Sequence, residues 1–185
     1  MTFSFHRGAL ALDLAGTVGA RASEHPEERM PRREDLARWL VEAGLLDRAH
    51  PTADELAEAH ALREAIHAAA TDAIEGRPVR RSALATLNAA AQGLRHGAPR
   101  LSADLTARWE GSAPVAVALG RVAADAIDVL SRHAGRLTRC ELEGCGAVLL
   151  SRSRGEPRRW CSMELCGNRA KVAAFRRRHR SASRG

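Results

Sequence analysis

Cys140, Cys145, Cys161 and Cys166 are the only cysteines in the chain, and all four fall in its last quarter. Four residues separate the members of each pair, and fifteen separate the two pairs. Two loop-borne pairs of thiolates at this spacing can converge on one tetrahedral Zn²⁺. Four protein ligands leave no open coordination position, so the ion implied is structural rather than catalytic. The 139 residues before Cys140 contain no cysteine, which fits a metal-nucleated module better than cysteines scattered through a core. The other use of four cysteines is two disulfides, which requires an exported chain. The N-terminus lacks a basic stretch followed by a long apolar run, so a cytoplasmic location with reduced thiols is expected.

Charge singles out the same segment. The chain carries 29 Lys+Arg against 22 Asp+Glu, a formal +7. Residues 140–185 hold 11 basic and 4 acidic residues, also +7, which leaves 18 of each sign in residues 1–139. Four thiolates on one Zn²⁺ would add −2, leaving about +5 on the folded module. All but one of the basic residues are Arg, as a codon bias would give. Such a bias does not place the excess at one end, so the location is the signal.

The elements that must position these groups can be read from the rest. The chain has 185 residues and is 45% hydrophobic, with no Tyr, three Trp and three Phe. That suits one helical domain with a small appendage, and no apolar run reaches the ~18 residues of a membrane span. Phe3 to Leu14 suggests a strand entering a first helix, broken at Gly8. Pro31 precedes a helix carrying Leu36, Trp39 and Leu40 and stopped by Gly44. Thr52 and Glu55 form a capping-box pair opening a helix over 51–75, with an apolar stripe from Leu56 to Ala73 closed by Gly76. A short helix over 82–92 turns Leu84 and Leu87 inward. Residues 100–112 read as strand or hairpin, and Pro114 opens a long helix ending near Gly135.

In the cysteine segment, Gly144 and Gly146 flank Cys145 and let the backbone curl around it. Ala147 to Leu150 is a short strand, 151–157 a polar hairpin tip, and Arg158 to Cys161 the expected returning strand. Ser162 caps a helix with Cys166 in its first turn, and Trp160 packs over the small core. A hairpin knuckle joined to a helix-start pair is a treble-clef-like arrangement. On the final helix, Val172, Phe175 and His179 form a narrow apolar stripe. Arg169, Arg176 and Arg180 lie on one flank, Lys171 and Arg178 on the other, and Arg177 opposite.

The run Arg159-Trp-Cys-Ser-Met163 followed by Cys166-Gly-Asn-Arg-Ala-Lys171 resembles the CGNR zinc-finger family. Leu10-Ala-Leu-Asp-Leu-Ala-Gly-Thr17, Asp35-Leu-Ala-Arg-Trp-Leu40 and Ala43-Gly-Leu-Leu46 resemble segments of the ABATE-type helical domain that accompanies it in bacteria, whose proposed role is stress-induced transcription regulation. Family members often carry Asn where this chain has Gly16. The resemblance implies a mainly α (α+β) chain: a helical sensor or regulatory domain over 1–136 with a short β element, then a zinc finger over 137–185.

Two functions follow. One is a zinc-dependent DNA-binding transcription regulator, with Arg158, Arg159, Arg169, Lys171, Arg176, Arg177, Arg178 and Arg180 as nucleic-acid contacts. Its helical domain would sense a small-molecule effector or dimerise. The other is an RNA- or ribosome-associated or protein-docking module built on the same finger. With only Trp160 and Phe175 as aromatics in the basic segment, a base-stacking single-strand platform is disfavoured. No nucleophile–base pair or phosphate-cradling glycine loop is visible, so no enzyme is expected. Arg169 either meets nucleic acid or braces the zinc loops. Asp13 and Thr17, four apart, either line a ligand pocket or make a helix-packing contact. His60 and His67 lack any metal-ligand spacing and read as surface or flank residues.

Overall fold

Apolar stripes decide the layout. The computed structural model describes residues 3–151 and 157–182, the side chains of 174 and 177–182 excepted. Its helices are α1 (Leu10–Ala15), α2 (Arg33–Glu42), α3 (Ala53–Ile74), α4 (Arg81–Ala91), α5 (Pro114–His133) and α6 (Asn168–Ala182). Three small antiparallel sheets pair β1 (Val18–Gly19) with β2 (Glu27–Glu28), β3 (Gly97–Leu101) with β4 (Ala107–Gly111), and β5 (Leu137–Arg139) with β6 (Val148–Leu150). The fold is mainly helical with minor sheet, as the sequence implied. Among the described residues no helix is long and apolar enough to cross a membrane.

The long helices α3 and α5 form the frame. The Glu55 N–H bonds Thr52 Oγ1 at 3.2 Å and the Thr52 N–H bonds the Glu55 carboxylate at 2.7 Å, closing the capping box that starts α3. Ala59, Leu62, Ile66, Ala69 and Ala70 of α3 meet Val115, Leu119, Val122, Ala126 and Val129 of α5 in one core. The glycines expected to stop α2 and α3 do so with left-handed backbone, φ +66° at Gly44 and +64° at Gly76.

The short helix α1 lies against both long helices, with residues 11–15 all buried. Six residues are too few to hold a helix alone, so its stability comes from burial. Its Ala9 N-cap has no side-chain acceptor to offer; instead Asp125 of α5 takes the Ala11 N–H at 2.8 Å.

Two expectations fail. Leu84 is 43% exposed; the buried residues of α4 are Ala83 and Leu87, four apart and therefore on one helical face. No strand precedes α1 either, because the chain before Gly8 has no ladder partner and is held by single bonds. Where strand or hairpin was expected over 100–112, a hairpin spans 97–111, and Arg121 of α5 stacks 5.2 Å from its Trp109 ring.

Candidate metal centre

The four cysteines arrive from three local structures. Cys140 follows β5, and its N–H bonds the Ala147 carbonyl at 2.9 Å, which closes the loop of the first pair. Gly144 and Gly146, at φ +75° and +64°, supply the left-handed turns on either side of Cys145. Ser162 Oγ accepts the Leu165 N–H at 3.2 Å and caps a π-helical turn, Met163–Gly167, which carries Cys166 into the site. The chain at 158–161 does not form the expected returning strand. The partner of β6 is β5, paired Leu137 to Leu150 and Arg139 to Val148. Arg159 meets β5's end through one bond, its carbonyl accepting the Glu141 N–H at 2.9 Å.

The four sulfurs lie within 4.8 Å of one another. Cys145 Sγ is 3.7 Å from both Cys161 and Cys166, and Cys161 is 3.2 Å from Cys166. A tetrahedron with Zn–S bonds of ~2.3 Å has edges of about 3.8 Å, so the set fits one zinc ion. Without a cation, hydrogen bonds among the thiols hold Cys140 far below the usual thiol range and push Cys145 and Cys161 up, while burial raises Cys166. A divalent cation removes that conflict, because it stabilises four thiolates at once. The Cys161 N–H points to Cys140 Sγ at 3.5 Å. Around the sulfurs pack Leu149, Leu142, Ala147 and Trp160, the last under the Arg159 guanidinium at 5.2 Å.

This centre is docked onto the helical part through three consecutive carbonyls. The Gly144 and Cys145 oxygens accept the Ala22 and Arg21 N–H groups at 3.2 and 3.0 Å. The Gly146 oxygen is 3.1 Å from His67 Nε2, which must carry the proton to donate. A Cβ on Gly146 would sit 3.0 Å from the Ala22 nitrogen, so glycine is needed for approach as well as for φ. Arg21 is itself anchored, bidentate on Glu64 at 2.7 and 3.0 Å. On the other side the Leu150 N–H bonds the Arg7 carbonyl at 2.8 Å, and Arg139 of β5 pairs with Glu75, the C-cap of α3.

The basic residues divide by environment. Arg158 is spent internally, Nε on the Trp160 carbonyl at 2.9 Å, Nη2 on that of Cys161 at 2.6 Å, and Nη1 on that of His6. Arg159 pairs with Glu141 at 2.7 Å. Arg169, Lys171 and Arg176 are exposed, and none pairs with a carboxylate among the described residues. The side chains of Arg177, Arg178, His179 and Arg180 lie outside the described residues. Val172 and Phe175 are about half exposed. Asn168 donates to the Glu164 carbonyl at 3.0 Å, bracing the turn that holds Cys166.

Asp13 and Thr17 are both buried. Asp13 accepts the Arg7 N–H at 2.9 Å, and Thr17 donates to the Leu14 carbonyl at 2.8 Å and receives Arg63 Nη1 at 3.3 Å. Arg63 also grips Glu28 through two bonds of 2.8 Å. Gly16 lies against Arg7: a Cβ there would be 2.0 Å from the guanidinium carbon. Arg7 and Arg21 were not singled out by the sequence, and His67, expected as a surface or flank residue, is half-buried against Gly146. The available signal was a charged residue abutting the apolar run 9–15, and a histidine on the buried side of a core helix.

A family model described as "Putative stress-induced transcription regulator" (ABATE) matches residues 8–133, and the CGNR zinc finger model matches residues 136–179. Neither describes an enzyme family. No curated protein matches the chain. With the larger model spanning well over half of its length and the four-cysteine cluster inside the smaller, the chain belongs to the ABATE family and carries a CGNR zinc finger.

Proposed function

We propose that the chain is a zinc-dependent DNA-binding transcription regulator, with a treble-clef-like finger over 137–185 that lays α6 against duplex DNA. Residues 1–136 form the regulatory domain, which senses a small ligand or mediates self-association. The observation that carries this reading is the exposed, carboxylate-free set Arg169, Lys171 and Arg176 on the helix that begins at the metal centre. Residues 140–185, which contain that helix, carry a formal +7, and residues 1–139 carry zero. Arg177, Arg178 and Arg180 follow in the sequence of the same helix and add three positive charges to it. Arg158, engaged by three carbonyls, serves the finger's own architecture.

About three to five phosphate contacts would give log K against log salt a slope of roughly −3 to −5. Changing Lys171 and Arg176 together to Gln should weaken binding to all duplex sequences and flatten the slope by about two units. Unchanged affinity and slope in a variant that keeps its zinc would assign α6 to another partner. The second reading, a protein-docking or RNA-associated module, draws on Met163, Leu165, Val172 and Phe175, all exposed in or beside the same helix. Selective DNase and RNase digestion of nucleic acid that co-purifies with the protein separates these readings.

A further inference from the structure

Arg7 stands in the wall of a cavity of about 350 Å³ that also exposes Cys145, Cys161 and Cys166. Its side chain is only 8% exposed. Nη1 donates to the Ser4 carbonyl at 3.2 Å and Nη2 to that of Gly16 at 3.4 Å, while the buried Nε has no acceptor. Asp13, 3.9 Å from Nη1, is beyond hydrogen-bonding distance of the guanidinium and is already committed to the Arg7 backbone. Burial pulls the Arg7 pKa down, and Asp13, Cys161 and Cys145 oppose that pull. A buried guanidinium with an idle donor needs further negative charge close by.

We propose that Arg7 is the buried counter-cation of the zinc–thiolate centre, a positioning residue contributed by the helical part that makes metal retention depend on docking of the finger. The inference rests on zinc occupying the four-cysteine site. A [Zn(Cys)₄] unit carries −2, and three of its four cysteines line the cavity that Arg7 also lines. An anion from solution is the competing partner for Arg7. Charge arithmetic disfavours it: Arg7, Arg29 and Arg169 line the cavity with +3, Glu27 and Glu143 with −2, and the loaded centre with −2, a net −1. The charge facing Arg7 is supplied by Asp13 on one side and the thiolates on the other.

Gly16 gives an independent handle. A Cβ at position 16 would fall 2.0 Å from Arg7 Cζ and 2.3 Å from Nε. The backbone there has φ −79° and ψ 0°, open to alanine, and the three atoms nearest the added Cβ all belong to Arg7, so the methyl displaces the guanidinium without deleting it.

The test uses the full chain as Arg7→Met, Arg7→Lys and Gly16→Ala. Each should bind one zinc per chain. Arg7→Met and Gly16→Ala should release it to a competing chelator roughly 10- to 100-fold faster than the parent, the usual size of an outer-sphere loss. Arg7→Lys should recover part of that. In Co²⁺-substituted protein the sulfur-to-cobalt charge-transfer bands should move to lower energy in both faster variants, because the thiolates lose a stabilising charge; a purely structural role would leave them in place. Should Arg7→Met fail to fold, Gly16→Ala decides alone. Unchanged release and unchanged bands in zinc-loaded Gly16→Ala overturn the proposal. A parent protein that binds no zinc overturns the metal reading beneath it.

Discussion

The helical part buries Trp39, Leu12, Leu36, Leu62, Ile66 and Val122 essentially completely, in one continuous core. Of the finger, Leu137, Val148 and Leu150 join that core, while the cluster around the sulfurs buries only Leu149 and two cysteines, with Leu142, Ala147 and Trp160 half-covered around them. At ~25 cal/mol per Å² the first region can be held by apolar burial, whereas the second has too little apolar surface to offset the entropy of ordering its loops. Its free energy must come from the ion. Where the two regions meet, backbone carbonyls beside the metal ligand Cys145 are satisfied by the helical part. Two unlike sources of stability are therefore joined at one seam.

The sharpest way to break this contrast is to remove the metal. Zinc in such small modules supplies roughly 10–16 kcal/mol of apparent folding free energy. Cys145→Ser or Cys166→Ser should abolish stoichiometric zinc and melt residues from about 138 onward. The helical signal in far-UV circular dichroism should survive, with its thermal transition lowered because the seam contacts are lost. Loss of both regions in a single step would show that the helical core cannot stand without the finger.

The converse variant strikes the core. Leu62→Ala, at a site 1% exposed, should cost about 2–5 kcal/mol in urea unfolding of the helical part. Its zinc content should remain at one per chain. If zinc is lost in the folded variant, the two regions are one cooperative unit rather than two stabilised differently.

What the sequence made legible was local. Cysteine spacing, the Thr52–Glu55 capping box, the Ser162 cap and the glycine stops at Gly44 and Gly76 all act within a few residues, and each is found where expected. Leu84 failed because helical phase over 11 residues tolerates two faces, and packing against α5 chose Ala83 and Leu87. The strand at 158–161 failed because β5, reached after α5, was a competing partner for β6. The seam was illegible for a different reason. Arg158 to His6 spans 152 residues, and His67 to Gly146 spans 79, and neither pairing leaves a period in the sequence.

Asp13 allows a smaller test of the helical side. Burial raises its pKa from 3.8 to about 6, against the pull of the Arg7 N–H and guanidinium. The folded state therefore holds a proton that the unfolded chain has released between about pH 4 and pH 6. Stability from this group falls as pH rises through that window and is flat above it. Asp13→Asn, which can still accept the Arg7 N–H, should lack the slope. The difference in unfolding free energy between variant and parent should shift in the variant's favour from pH 4 to pH 6. A constant difference would mean that Asp13 is ionised throughout, fully compensated by Arg7.

The finest probe of the seam is His67, because it exchanges one hydrogen bond between the regions. Its ring donates to the Gly146 carbonyl, and burial lowers its pKa below the usual 6.5. In His67→Ala that carbonyl loses its partner, which should cost about 0.5–1.5 kcal/mol of stability. Zinc release should quicken modestly, since Gly146 adjoins the ligand Cys145. His67→Gln offers an amide donor and should restore most of both. The pH dependence runs opposite to that of Asp13: as pH falls below about 6.5, the unfolded histidine gains a proton that the buried ring resists, so the parent loses stability. The Gln variant should be spared that loss. If His67→Ala behaves like a substitution at exposed Glu58 on the same helix, the contact carries no energy and the seam is held by its other bonds, those of Arg21, Ala22 and Arg7 among them.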